Sequence, residues 1–363
     1  MLRSPTMLRS PTTPSPMRRK DSLSGTPLNG IDALLVDLDG VVYTGATAVP
    51  YAVDSINAIA ERMRVGYVTN NASRVPASVA DQLSGYGLSV VPEDVVTSPQ
   101  AAVRLLVDLV PAGATILVVG GEGLTTAVAG AGFVVTDSAL DEPAAVVQGF
   151  APDVGWKQLA EASFALRSKD ARSDVPGDAI PWVATNTDWT LPTERGLAPG
   201  NGTLVSAVHL AVGRLPVVAG KPETPIFEEA ATRFGAAHPL FIGDRLDTDI
   251  LGANRAGMAS VLVLTGVDGP KQVLAADAKS RPTFVVDDLR QLHEPYPQAT
   301  EKVDRSGATV VTVGKSVVRM SETTVRIERA GNRKIDLLRA GAAAIWGSGR
   351  SIHVLDVDPG IYE

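Results

Sequence analysis

No cysteine occurs among the 363 residues, which excludes disulfide staples, thiol nucleophiles and cysteine-ligated zinc. Histidine is nearly as scarce: four residues with no paired spacing argue against a histidine-built metal site. No apolar run approaches the roughly 18 residues that cross a bilayer, so no membrane span is expected. An excess of positive charge is also missing. Thirty-three Lys and Arg against 40 Asp and Glu leave a net charge of −7, which argues against a nucleic-acid partner. An anionic substrate would therefore need a local positive site, such as a metal ion, a lysine or helix N-termini. The remaining composition, 45% hydrophobic and 20% charged, is that of an ordinary globular protein, with a cytoplasmic location expected. Met1 to Lys20 is rich in Pro, Ser, Thr and Arg, and Met1-Leu2-Arg3-Ser4-Pro5-Thr6 recurs from Met7 to Thr12. Without the apolar centre of a secretory signal, residues 1–30 read as a disordered leader or an overlong gene start.

What is present begins with Asp37-Leu38-Asp39-Gly40-Val41, placed after the apolar run Ala33–Val36. Two carboxylates one residue apart repel each other and pack no core. Ending a buried strand with them is costly unless something cationic or reactive sits there. In an extended strand, residues i and i+2 point to one side, so both can face one small site. Gly40 lets the chain turn close to a ligand.

From Ile31 short apolar strands alternate with amphipathic helices, the pattern of βαβ units and a parallel sheet. Strands are expected at 33–36, 64–68, 216–219, 239–242, 260–264 and 283–286, with helices opening at Pro50, Pro76, Ser98-Pro99 and Pro222. From Asn71 to Lys221 is 150 positions, far more than one crossover needs. That interval has its own strand patterns at 115–119, 144–147 and 180–184, and helical patterns near 156–166 and 203–212. It reads as a second α/β domain, 107–215, inserted into a first made of 31–106 and 216–293, with the two crossings as hinges. After a linker at 294–298, residues 300–363 read as a small α+β unit with strands at 309–313, 315–320, 323–327 and 351–355 and a helix at 333–346. Nothing in it suggests chemistry.

Four polar motifs each follow an expected strand of the first domain: Asp37 and Asp39; Thr69-Asn70-Asn71; Lys221; and Gly243-Asp244, with Asp247 and Asp249 behind. In a parallel sheet these ends share the edge where ligands bind. Asp37 can attack phosphorus as a carboxylate nucleophile. Asp39 can protonate the leaving alkoxide and later deprotonate the attacking water. Asp37 and Asp244, with a backbone carbonyl, suit an octahedral Mg²⁺. Thr69 and Lys221 can donate to phosphoryl oxygens, and the Gly40 and Val41 amides can extend that cradle. Asp249 suits a carboxylate that orients a metal water or Lys221. Asp247 reads as surface.

Together Asp37–Val41, Thr69-Asn70-Asn71, Gly220-Lys221-Pro222 and Gly243–Asp249 resemble the haloacid dehalogenase superfamily of phosphatases. The resemblance runs from about Asp32 to Asp288, and the insertion is similar to the type II (C2) cap of the NagD-like, p-nitrophenyl-phosphatase branch. It implies a Rossmann-like core and an inserted α/β cap. It also implies Mg²⁺, with Mn²⁺ or Co²⁺ as substitutes, held by Asp37, the Asp39 carbonyl and Asp244. The activity implied is hydrolysis of a small phosphorylated metabolite through an aspartyl-phosphate. The tail resembles that of mycobacterial-type glycerol 3-phosphate phosphatases, so glycerol 3-phosphate is the expected substrate. Gly40, Thr69, Asn70, Asn71 and Lys221 are the expected phosphate contacts.

In this family the cap supplies a specificity loop, matched here by Thr185–Gly196. Asn186, Asp188 and Arg195 would bond glycerol hydroxyls, and Trp189 is either a lid or cap core. Pyridoxal-phosphate phosphatases of the branch carry a ring-stacking His where Leu191 aligns, which weakens that alternative. A nucleoside-monophosphate phosphatase and a catalytically idle phospho-ligand sensor are the others; the complete set of motifs argues against the sensor. The Gly120-Gly121-Glu122-Gly123 turn lacks the Lys-Ser/Thr of a phosphate-binding loop. A homodimer through the cap or the C-terminal unit is a further expectation.

Overall fold

A computed structural model describes residues 25–167, 179–193 and 195–363. Most of the expected leader lies outside the described residues, but its last part does not behave as a leader. Leu28 is buried in a core cluster, and the Gly25 carbonyl accepts from Tyr296 N–H. Apolar burial at Leu28 fixes this stretch against the core of the first domain.

The first sheet has six parallel strands in the order Phe284–Val286, Ala259–Val263, Pro239–Gly243, Ala33–Val36, Arg64–Thr69 and Val95–Thr97. Ala33–Val36 reads as four consecutive apolar residues because both its faces are covered. Leu34 and Val36 enter one core cluster, and Ala33 and Leu35 enter another. The parallel direction places Asp37, Asn70 and Asp244 at one edge.

The second sheet is also parallel, in the order Val217–Val218, Trp182–Ala184, Ala145–Gln148, Thr115–Val119 and Val134–Thr136. Val217–Val218 pairs with Val183 and Ala184, so the strand before Lys221 belongs to this sheet and not to the first. The expected boundary at 106/107 falls inside helix Ser98–Leu109, which packs on helix Pro225–Phe234. A helix cannot be divided between domains mid-turn. Consistent with this, one apolar cluster contains Leu35 and Phe241 of the first sheet with Val118, Val147 and Val183 of the second. A hairpin, Thr190–Thr193 with Gly196–Pro199, projects from the expected specificity loop.

The third sheet is antiparallel through Thr300–Val303, Thr309–Val313, Ser316–Ser321 and Thr324–Arg329, with Asp356–Val357 parallel at its edge. The last expected strand is instead a 3₁₀ turn at Ile352–Val354 followed by that two-residue strand. Helix Lys334–Ser348 lies between this sheet and the first, and Val311, Val318 and Val325 share a cluster with Leu262, Val273 and Val285. Arg339, buried on this helix, donates to the Val285 carbonyl at 2.6 and 2.9 Å, to Gln291 at 2.9 Å and to Asp336 at 3.0 Å. The expected linker is pinned as well: Tyr296 stacks edge-on with Phe284 at 4.9 Å and accepts from Val285 N–H. No described helix is long and apolar enough to cross a membrane.

Candidate active site

Strand Ala33–Val36 delivers Asp37 to the sheet edge, where its N–H still bonds the Ile242 carbonyl at 2.9 Å. The Lys221 ammonium reaches the same point, 2.6 Å from Asp37 Oδ1 and 2.7 Å from Asp249 Oδ1. Ligand oxygens of Asp37, Asp244 and Asp249 lie within 4.8 Å of one another, and all three residues are buried. Asp249 sits on a π-helical turn, Leu246–Ile250, a rare geometry that recurs at functional sites. Its second oxygen accepts from Arg245 N–H at 3.2 Å, so both its oxygens already have protein donors. Asp244 is held from one side only, its Oδ2 accepting from Val267 N–H at 2.7 Å.

Three buried carboxylates around one ammonium leave negative charge uncompensated. Burial, then the Asp37 and Asp249 charges, push the Asp244 carboxyl up to about 8. Burial and then Asp37 push Asp249 to about 6. Burial also raises Asp37, against the pull of Lys221. Burial alone would lower Lys221, but the Asp249 and Asp37 carboxylates outweigh it and raise it. Like charges lifted this far from their ordinary range are what a divalent cation relieves. The oxygen-only donor set fits a hard cation: Asp37 and Asp244 have room for it, while Asp249 is engaged elsewhere.

Asp39 opens to solvent at the mouth of the site. Desolvation on its protein side raises its carboxyl, and the Lys221 charge, then a hydrogen bond from Tyr43, oppose the rise. Thr69 Oγ1 accepts from Asn71 N–H at 3.1 Å, which leaves its hydrogen to donate. Gly40 and Val41 do not extend the cradle. Their amides close a turn, onto the Tyr43 carbonyl at 2.8 Å and the Leu38 carbonyl at 3.3 Å. Gly40 is needed for another reason. Its φ is +77°, and a Cβ there would sit 2.3 Å from Asp244 Oδ2.

The remaining expected contacts separate. Asn70 is occupied within the protein, donating to Lys221 O at 3.0 Å and accepting from Lys221 N at 2.8 Å. Asn71 is exposed and its Oδ1 accepts from Ser73 N and Oγ, both at 3.0 Å, forming a turn cap rather than a ligand contact. Asn186 is buried and also braces the protein, its Nδ2 on the Asn70 carbonyl at 2.9 Å and its Oδ1 on Asp188 N at 3.1 Å. Asp188 is half-buried against Asn70, and Arg195 stands exposed at the hairpin tip. Trp189 is 67% exposed and therefore not core. Asp247 is surface as expected, paired with Arg245.

Three contributors escaped the sequence reading. Thr265 Oγ1 donates to the Gly40 carbonyl at 2.7 Å, and Val267 holds Asp244. The signal was present: the polar turn Thr265–Gly269 directly follows an apolar strand of the same sheet. Tyr43, beside Asp39, carried no such signal.

Comparison with known proteins gives this geometry a family. The haloacid dehalogenase-like hydrolase pattern matches residues 34–134, and the HAD-hydrolase-like pattern matches 218–292. D-glycerol 3-phosphate phosphatase of Mycobacterium tuberculosis is 41% identical over 321 residues, covering 87% of this chain and 86% of that protein. The chain belongs to the haloacid dehalogenase-like hydrolases. Its Bacillus subtilis relative, the 5′-nucleotidase YutF, is 33% identical over 260 residues, 71% of this hydrolase and 95% of the relative. A crystal structure of the M. tuberculosis glycerol phosphate phosphatase in complex with magnesium superposes with a TM-score of 0.77 at 39% identity, covering 92% of this hydrolase and 95% of that chain. By this membership the hydrolase acts on phosphomonoesters.

Proposed function

We propose that this hydrolase is a Mg²⁺-dependent glycerol 3-phosphate phosphatase that works through an aspartyl-phosphate at Asp37. The observation that carries the chemistry is the buried meeting of Asp37, Lys221, Asp249 and Asp244 at one sheet edge. Asp37 and Asp244 would hold the cation, completed by the Asp39 backbone carbonyl, with Asp249 orienting Lys221. A cation held there would supply charge neutralisation for the attacking carboxylate and the phosphoryl group.

The chain's own groups account for the rest. Asp37 attacks phosphorus and the ester P–O bond breaks as the leaving alkoxide takes a proton from Asp39. Lys221 and the Thr69 hydroxyl donate to the equatorial oxygens, where charge gathers. Asp39, now a carboxylate, takes a proton from the water that attacks phosphorus. The bond from phosphorus to Asp37 then breaks, returning both carboxyl groups to their starting states and releasing phosphate.

The substrate reading rests on the M. tuberculosis relative. Its match is 61 residues longer than that of the Bacillus nucleotidase, about the length of segment 300–363. We retain the division of labour in which the first domain carries the chemistry and the insertion restricts access as a cap, with the first boundary moved past helix Ser98–Leu109 and the second to after Val218. Self-association through the cap is supported by the exposed apolar side chains of Leu210 and Leu215. A phosphate-release panel of glycerol 3-phosphate, pyridoxal phosphate and nucleoside monophosphates, with and without EDTA, tests the reading. Glycerol 3-phosphate should lead by kcat/KM and EDTA should stop turnover. A preference for nucleoside monophosphates would replace the substrate, and EDTA-resistant turnover would remove the metal.

A further inference from the structure

Every polar atom of the Asn70 side chain is engaged inside the protein. Its carboxamide brackets one residue, accepting from Lys221 N–H at 2.8 Å and donating to the Lys221 carbonyl at 3.0 Å. Its second N–H is shared between Asp188 Oδ1 and Oδ2, each at 3.3 Å. The Asn70 backbone carbonyl accepts from Ser98 Oγ at 2.7 Å and Asn186 Nδ2 at 2.9 Å. One residue therefore ties three separate segments together: the first sheet, the Thr185–Asp188 loop of the second, and the lysine that reaches Asp37. The chain is tight beside this clamp. A Cβ at Gly220 would lie 2.5 Å from Asn70 Oδ1 and 2.4 Å from the Thr185 carbonyl. The loop side is equally fixed, since Asn201 Nδ2 donates to the Asn186 carbonyl at 2.7 Å and Gly202 N–H to the Asp188 carbonyl at 2.9 Å.

We propose that Asn70 is a positioning residue that couples docking of the Thr185–Asp188 loop to the placement of Lys221 between Asp37 and Asp249. With the loop docked, Asp188 takes the second Asn70 N–H, and the carboxamide plane is fixed while it holds both polar groups of the Lys221 backbone. With the loop away, that N–H loses its acceptor and the plane is free to turn, loosening Lys221. Asp188 then acts on turnover of every phosphomonoester rather than on recognition of glycerol alone. A displacement of about 1 Å at a reacting group can cost roughly 100-fold in rate, so a small loosening suffices.

The inference rests on Lys221 serving the reaction, and the test separates the two. Asn70→Ala, Asp188→Ala and their double variant are assayed at saturating Mg²⁺ on glycerol 3-phosphate and on p-nitrophenyl phosphate, which offers Asp188 no hydroxyls. Each single change should lower kcat about tenfold or more on both substrates with KM little altered, and the double should be no worse than Asn70→Ala. A KM rise confined to glycerol 3-phosphate in Asp188→Ala would overturn the coupling, as would multiplicative losses in the double variant. If Asn70→Ala does not fold, Asn70→Asp provides the test. It keeps the acceptor for Lys221 N–H but sets two carboxylates against each other. Adding Asp188→Asn should restore part of kcat, the new amide at 188 donating to the new carboxylate at 70; no recovery overturns the proposal. Full activity of Lys221→Met would instead sink the role of Lys221.

Discussion

Lys221→Met removes the ammonium while keeping a chain of similar length, and the structure sets the consequences. The side chain is 5% exposed and its two carboxylate partners lie at 2.6 and 2.7 Å. Breaking a buried pair by deleting one partner costs about 3–5 kcal/mol, because the remaining charge stays buried and unpaired. Here two carboxylates are stranded beside a third. They can escape by taking up protons, at about 1.4 kcal/mol per unit of pKa displacement. Their folded pKa values then stand further above the unfolded carboxylate value, so the variant binds more protons folded than unfolded. Stability therefore falls as pH rises from about 4 toward 8, so more of it remains at pH 5 than at pH 8. Metal-free wild type and variant, melted at both pH values, should differ far more at pH 8. Phosphate release by the variant at saturating Mg²⁺ should fall roughly 100- to 1,000-fold, the effect of losing one preorganised donor to a developing oxyanion. Equal melting curves at pH 8, or wild-type turnover, would refute the reasoning.

Three further outcomes are expected. Gly40→Ala forces a Cβ to 2.3 Å from Asp244 Oδ2 at a φ of +77°, and should weaken Mg²⁺ binding about 10- to 100-fold in a calorimetric titration; unchanged affinity would contradict it. In the metal-free wild type, Asp244 is raised to about 8 and Asp249 to about 6, so stability falls as pH rises from about 4 through 8. The rise in melting temperature on adding Mg²⁺ should accordingly be larger at pH 8 than at pH 5, and an equal rise at both would count against the shared carboxylate site. Arg339→Met leaves Asp336 buried without its partner and frees the Val285 carbonyl, so the chain should lose about 3–5 kcal/mol; Asp336→Leu in the same chain should recover part of it, and an unchanged melting point would show that the third sheet is not fused to the first.

The elements legible in the sequence were those whose burial leaves a pattern. Ala33–Val36, Thr115–Val119 and Pro239–Gly243 are apolar runs because both faces are covered. Val217–Val218 was legible as a strand but not in its allegiance, since two residues carry no signal of whether Val183 or a first-sheet strand will be the neighbour. The Thr190–Pro199 hairpin is exposed along much of its length and has no apolar alternation to read. At the site, Asp37, Asp244, Asp249 and Lys221 stood out because charged groups at buried strand ends need a reason. Asn70, Asn186 and the Gly40 amide were misassigned because their partners, Lys221, Asp188 and the Tyr43 carbonyl, are fixed by tertiary placement or turn geometry. A neutral amide looks the same in sequence whether it meets a phosphate or a peptide.

The most direct measurement is a rapid acid quench during turnover of a phosphomonoester carrying labelled phosphorus, followed by peptide mapping. Acid preserves an acyl phosphate, so the label should appear on the peptide containing Asp37 and be absent in Asp37→Asn, which should also release no phosphate. Wild-type turnover with label on another peptide, or steady release of phosphate by Asp37→Asn, would contradict the account.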